Sequence, residues 1–141
     1  MARLRHFAIV VRDLEKAAAF YEGVFDLKRV GQEVLDFASA IYLSDGTINL
    51  ALLNYVGKRG SGLDNAREFV GAHHFGFQVD DIEAVSDRLA KDGLEEARAR
   101  PSNRPYAEFR ACDPEGNQFD LSQHGFQDVA PAARQKEPVG R

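Results

Sequence analysis

Cysteine is nearly absent: Cys112 stands alone among 141 residues. A lone thiol forms no internal disulfide. In strand-like sequence, with no neighbouring base or helix start to lower its pKa, it reads as a small packed residue and not as a nucleophile. Cationic excess is missing too. Eighteen Lys and Arg against 22 Asp and Glu leave a formal net charge of -4, without the basic footprint of a nucleic-acid binder. No apolar run approaches the roughly 18 residues of a membrane span. The opening Met1-Ala2-Arg3-Leu4-Arg5 lacks the apolar stretch of an export signal. These deficits predict a cytoplasmic protein whose partner is a small molecule, with no nucleic acid and no membrane.

What is present is a core and a repeat. Hydrophobic residues make up 44% of the chain, enough to fold, and the length suits about one domain. Residues 6–15 read His-Phe-Ala-Ile-Val-Val-Arg-Asp-Leu-Glu, and residues 74–83 read His-Phe-Gly-Phe-Gln-Val-Asp-Asp-Ile-Glu. Each copy begins with a β-branched and aromatic run that favours a strand. Asp13 or Asp81 then offers an N-cap oxygen, and Glu15 or Glu83 suits the positive end of the helix dipole. Leu14, Ala17, Ala18 and Tyr21 keep helical spacing in the first copy, as do Ile82, Val85, Leu89 and Ala90 in the second, with Gly23 and Gly93 as stops. Strand-like sequence follows, turning at Ser44-Asp45-Gly46 and at Asp113-Pro114-Glu115-Gly116, the latter suited to a type I turn.

The expected fold class is therefore α+β, two tandem βαβββ modules. Module one is placed at 1–56, a linker at 57–72, module two at 73–125, and a loosely held tail at 126–141. A short helix is expected within the linker at Asp64–Val70. The Gly57–Gly62 stretch matches no phosphate-loop spacing and reads as a flexible connection or lid.

Side chains alternate across a strand. His6, Ala8 and Val10 share one face, and the following helix must cover the other, that of Phe7, Ile9 and Val11. The repeat puts His74 in the matching place, with Gly76 and Gln78. By the same parity Asp120 joins this face from the last strand. A single histidine on a strand is more often a hydrogen-bonded structural group than a ligand. Two at equivalent positions, with an inward carboxylate that is costly to bury unpaired, point to a cation. His6, His74 and Asp120 form a facial N,N,O set with open positions, as catalytic metal sites require. The expected cofactor is one divalent ion, Fe, Mn, Ni, Co or Zn. Parity turns His73 away, and His124 lies about 13 Å beyond Asp120 along a strand.

The motifs His-Phe-Ala-Ile-Val-Val-x-Asp-Leu-Glu with Phe20-Tyr21 behind it, His-Phe-Gly-Phe-x-Val-Asp-Asp-Ile, and Asp-Pro-Glu-Gly-Asn-x-Phe-Asp-Leu resemble the vicinal-oxygen-chelate superfamily over residues 3 to about 125. That group includes glyoxalase I, methylmalonyl-CoA epimerase, extradiol dioxygenases, fosfomycin-resistance thiol transferases and bleomycin-binding proteins. The resemblance implies a curled half-barrel sheet with helices outside, a metal within, and a substrate that chelates the metal through two oxygens. It implies glyoxalase- or epimerase-like isomerase or lyase chemistry. Extradiol-type ring cleavage, fosfomycin-type thiol transfer and metal-free ligand sequestration are the alternatives. Two departures stand out. Asp120 occupies a place usually held by Glu, and Asn49 is read at the place where isomerases carry a second Glu. Asn49 is accordingly expected to touch substrate or back a ligand without binding the metal. Catalytic roles are expected for Asn49 and Asp120, and substrate contacts for Asn49, Tyr106, Arg110 and Gln78. A homodimer is expected from the habits of the family.

Overall fold

The computed structural model describes residues 1–100 and 108–126. Eight strands and two helices follow one another as β1 (Arg3–Val10), α1 (Leu14–Phe25), β2 (Lys28–Val34), β3 (Ala38–Ser44), β4 (Asn49–Tyr55), β5 (Gly71–Gln78), α2 (Ile82–Lys91), β6 (Arg98–Ala99), β7 (Phe109–Cys112) and β8 (Gln118–Ser122). They form one mixed sheet in the order β2-β3-β4-β1-β5-β8-β7-β6. The order is symmetric about the β1–β5 pair, so the two βαβββ copies meet edge to edge. β1 runs parallel to β4, β5 parallel to β8, and β1 antiparallel to β5. The sheet curls without closing, with both helices on its convex side.

The helices begin where the capping carboxylates predict. Asp13 Oδ1 accepts from the Lys16 amide at 3.0 Å, and Asp81 Oδ1 from the Ala84 amide at 3.1 Å. Gly93, at φ 82°, ends α2 as expected. Gly23 does not end α1. That helix continues to Phe25, and Asp26 takes the left-handed conformation at φ 59°. Ala18 packs on Ile41, Leu43 and Leu52, while Ile82, Val85 and Leu89 of α2 pack on Phe119 and Leu121. Each helix covers its own module, so Phe7 at the seam is left 42% exposed, although its face was expected to be packed throughout.

The linker is not a free connection. The Ser61 hydroxyl donates to the carbonyl oxygens of Gly57 at 2.8 Å and Lys58 at 3.3 Å, and accepts from the Leu63 amide. Gly60, at φ 79°, sits so close to Phe37 that a Cβ would lie 2.6 Å from its ring. Residues 64–70 make turns and not the expected helix. Ala66 and Leu63 join Ala8, Val10, Tyr42, Leu53 and Tyr55 in a core on the concave face of module one. The last described residue, Phe126, is 1% exposed and belongs to this same core, although it had been placed in the tail. The expectation of a loose tail falls otherwise on 127–141, outside the described residues.

Candidate metal centre

Four central strands carry one lateral row. Asn49 of β4 pairs with His6 of β1, His6 with Gly76 of β5, and Gly76 with Asp120 of β8. His74 stands one step along β5, opposite Ala8. Gly76 leaves the middle of the row without a side chain, and that space is used. A Cβ there would meet the Phe126 ring at 2.9 Å, the His6 Cβ at 3.0 Å and the Asp120 carbonyl at 3.2 Å. The Phe126 ring stacks on the His6 imidazole, with centroids 4.7 Å apart and planes 12° from parallel.

His6, His74 and Asp120 are all buried, and each offers one ligand atom within 4.8 Å of the others. The Nε2 atoms of His6 and His74 are 3.3 Å apart, and Asp120 Oδ2 lies 3.7 and 3.1 Å from them. The far ends of the rings are tied down. The Asn49 amide nitrogen donates to the Phe126 carbonyl at 3.1 Å, which turns its Oδ1 towards His6 Nδ1 at 2.8 Å. A carbonyl oxygen only accepts, so His6 Nδ1 carries the hydrogen and Nε2 keeps its lone pair. The other Asp120 oxygen, Oδ1, accepts from Arg110 Nε at 2.8 Å and faces Arg100 at 3.5 Å. The carboxylate thus presents one oxygen to the arginines and one to the histidines.

Electrostatics agree with this division. Burial would push the Asp120 carboxyl up, but His74 and Arg110 outweigh it and hold the group well below the usual carboxylate range. Burial drives the His74 imidazole down to about 4 against the pull of Asp120. A neutral imidazole and an ionised carboxylate are the forms that bind metal. His6 Nε2 and Asp120 Oδ2 face inward as acceptors, and His74 Nε2, 3.1 Å from that oxygen, stands where its lone pair can join them, so this donor set fits a divalent cation. Arg110 Nη2, 3.4 Å from His74 Nε2, approaches the same lone pair.

The remaining expected site residues are distributed unevenly. Arg110 is in direct contact with the triad. Gln78 is not: its amide packs beneath Gly125, about 3.1 Å from where a Cβ would stand. Asn49 is fully buried with both polar ends engaged, its Oδ1 on His6 Nδ1 and its amide nitrogen on the Phe126 carbonyl. Tyr106 lies outside the described residues. His124 is exposed and pairs with Glu108 at 2.7 Å.

Strand register also corrects the assignment of Asn49. In the repeat His6 matches His74, and Ala8 matches Gly76. Gly76 pairs with Asp120, and Ala8 pairs with Ala51. The first-module counterpart of Asp120 is therefore Ala51, two residues past Asn49. It is an apolar core residue and can donate nothing. Sequence reasoning also missed Phe126, whose only signal was an aromatic residue just past the last strand, and it missed His73. The His73 ring lies on the site side, with Nδ1 2.8 Å from His74 Nδ1.

A cavity of about 710 Å3 opens beside the triad, lined by Arg110, Arg100, Arg98, Lys58 and Arg59 with Asp36 among them. Its inner wall is the Arg110–Gln118 pair, in which Arg110 Nη1 donates to Gln118 Oε1 at 3.2 Å.

Comparison with known proteins agrees with this fold. Residues 3–121 match the family model of the Glyoxalase/Bleomycin resistance protein/Dioxygenase superfamily. The chain is 33% identical over 124 residues to a probable trivalent organoarsenical cleaving enzyme of Bacillus subtilis, covering 82% of this chain and 76% of that one. It is 29% identical over 136 residues to human mitochondrial methylmalonyl-CoA epimerase, covering 87% and 74%. The structure of methylmalonyl-CoA epimerase from Mycobacterium tuberculosis superposes with a TM-score of 0.64 at 22% identity, over 84% of this chain and 85% of that one, a likeness of fold. The chain belongs to the Glyoxalase/Bleomycin resistance protein/Dioxygenase superfamily.

Proposed function

We propose that this protein is a divalent-metal enzyme that performs isomerase or lyase chemistry on a small anionic substrate with neighbouring oxygens. The observation that carries the proposal is the convergence of His6 Nε2, His74 Nε2 and Asp120 Oδ2 with their lone pairs turned inward. When bound, the ion supplies Lewis-acid stabilisation of an oxyanion or enolate-like state. His6 and His74 hold it as neutral imidazoles, and Asp120 contributes one oxygen and one negative charge. Arg110 keeps the other Asp120 oxygen turned away. With Arg100 it gives the cavity a cationic inner end, suited to a carboxylate or phosphate of the substrate. The epimerase relatives support the isomerase side of this reading.

A second reading is favoured by one observation. Ala51 leaves a single carboxylate, and two histidines with one carboxylate are also the donor set of non-haem iron oxygenases. Oxygen separates the two. The isomerase or lyase reading expects turnover of an α-proton-bearing acyl substrate without O2 and with redox-inert Zn or Ni. Oxygen consumption with a catechol, confined to Fe(II) or Mn(II), would reverse the order.

A further inference from the structure

We propose that His73 is a positioning residue that fixes the proton of His74 on Nδ1 and thereby turns the Nε2 lone pair towards His6 and Asp120. The assignment rests on distances and backbone register. Its consequence for metal binding rests on the metal reading above.

Neighbouring residues on a regular strand face opposite ways, so His73 should point away from His74. The pairing of β5 with β1 is irregular at this point. Ala8 pairs with His74 and Ile9 with Ala72, which leaves His73 as the extra residue of a bulge. A bulge re-aims a side chain, and bulges recur beside functional sites. Here it brings the two rings to the same side, with centroids 5.0 Å apart. The Tyr55 ring packs against His73 at 5.3 Å from the other direction.

The hydrogen bonds then allow one consistent arrangement for a neutral His73. Its Nε2 lies 2.7 Å from the Ser61 carbonyl, which can only accept, so Nε2 carries the hydrogen. Its Nδ1 is left as an acceptor. The 2.8 Å contact between the two Nδ1 atoms must therefore be a donation from His74. Ser61 is itself buried and held by its hydroxyl, so the chain of bonds starts from a fixed point. Module one reaches the same end by other means, with the Phe126 carbonyl orienting Asn49 and Asn49 taking the His6 proton. Each ligand histidine is thus set by a backbone carbonyl acting through one side chain. The partner of a ligating ring nitrogen selects which nitrogen is free for the metal, and losing such a partner typically costs about 10–100-fold in metal affinity.

Two measurements test this. Ring-nitrogen NMR of the 15N-labelled full chain, metal-free and titrated with Zn2+, should place hydrogens on Nδ1 of His6 and His74 and on Nε2 of His73. Zn2+ competition titrations should show His73→Leu weakened by about 10–100-fold. His73→Asn, whose Oδ1 can stand where Nδ1 stood, should recover most of that loss, with circular dichroism confirming the fold of each variant. A hydrogen on Nε2 of His74 in the wild-type protein would overturn the assignment. So would wild-type affinity in His73→Leu, or an Asn variant no better than Leu. Should the wild type bind no Zn2+ at all, the metal reading fails, and the nitrogen shifts of the metal-free protein still decide the His73 assignment.

Discussion

Individual residues of the site are arranged to fix the orientation of the two imidazoles. Asn49 shows why an amide serves behind a histidine: it accepts from the ring and donates to a carbonyl at once, and an aspartate could not do both. Asn49→Ala should lower metal affinity by about 10–100-fold while leaving a folded protein, read by metal titration and circular dichroism. Retention of full affinity would show that His6 needs no partner. Protonation offers another test. The His74 imidazole is depressed from 6.5 to about 4 by burial, and burial lowers His73 as well. The unfolded chain therefore binds more protons than the folded one between those values. Stability of the metal-free protein should rise with pH across that window and fall as pH drops from 6.5 towards 4. The His74 contribution amounts to at most about 3 kcal/mol. Denaturant titrations at pH 4.5 and 7 measure it, and His74→Gln should flatten the slope. The inward facing of His6, His74 and Asp120 was legible in the sequence because parity and the repeat both bear on it. The roles of His73 and Ala51 were not. A bulge and a parallel register depend on which strand lies alongside, and a one-residue change of pairing moves a side chain to the other face.

At the scale of elements, the site depends on the four central strands, and above all on β5. Gly76 stands where three neighbours meet, so a side chain there must displace the Phe126 ring or open the His6–Asp120 spacing. Gly76→Val should destabilise the fold by roughly 1–3 kcal/mol, the usual cost of overpacking. It should also loosen metal binding, whereas Gly46→Ala, with open space around its Cβ position but φ at 97°, should affect stability alone. Equilibrium unfolding and metal titration of the two variants distinguish these outcomes, and equal metal affinity in Gly76→Val would contradict the close packing. The order of elements in both modules was legible because each begins with the same strand run and the same capping aspartate. The end of α1 was not, since Asp26 assumes the left-handed turn that glycine at 23 had seemed to provide. The exposure of Phe7 was hidden for a related reason: the sequence marks an apolar face but not how far each helix reaches across it.

For the molecule as a whole, duplication explains the plan. Two copies of one module meet along β1 and β5, and the seam carries one histidine from each, so the paired histidines are a consequence of internal symmetry. The symmetry is broken at the carboxylate. Asp120 has Ala51 as its counterpart, which leaves one carboxylate beside an arginine-lined cavity; a divalent cation held there would keep a net positive charge. The linker and Phe126 pack into the core of module one, and the cavity opens between the linker and module two, with Lys58 and Arg59 on one side and Arg98 and Arg110 on the other. The measurement that bears most directly on this account is calorimetric titration of the metal-free protein with Co2+, Ni2+, Zn2+ and Mn2+, and anaerobically with Fe2+, repeated on His6→Ala and Asp120→Ala. The account predicts about one tightly held ion per chain in the wild-type protein, and binding lost in both variants while circular dichroism remains unchanged. Absence of binding for every ion, or binding that survives both substitutions, would contradict it.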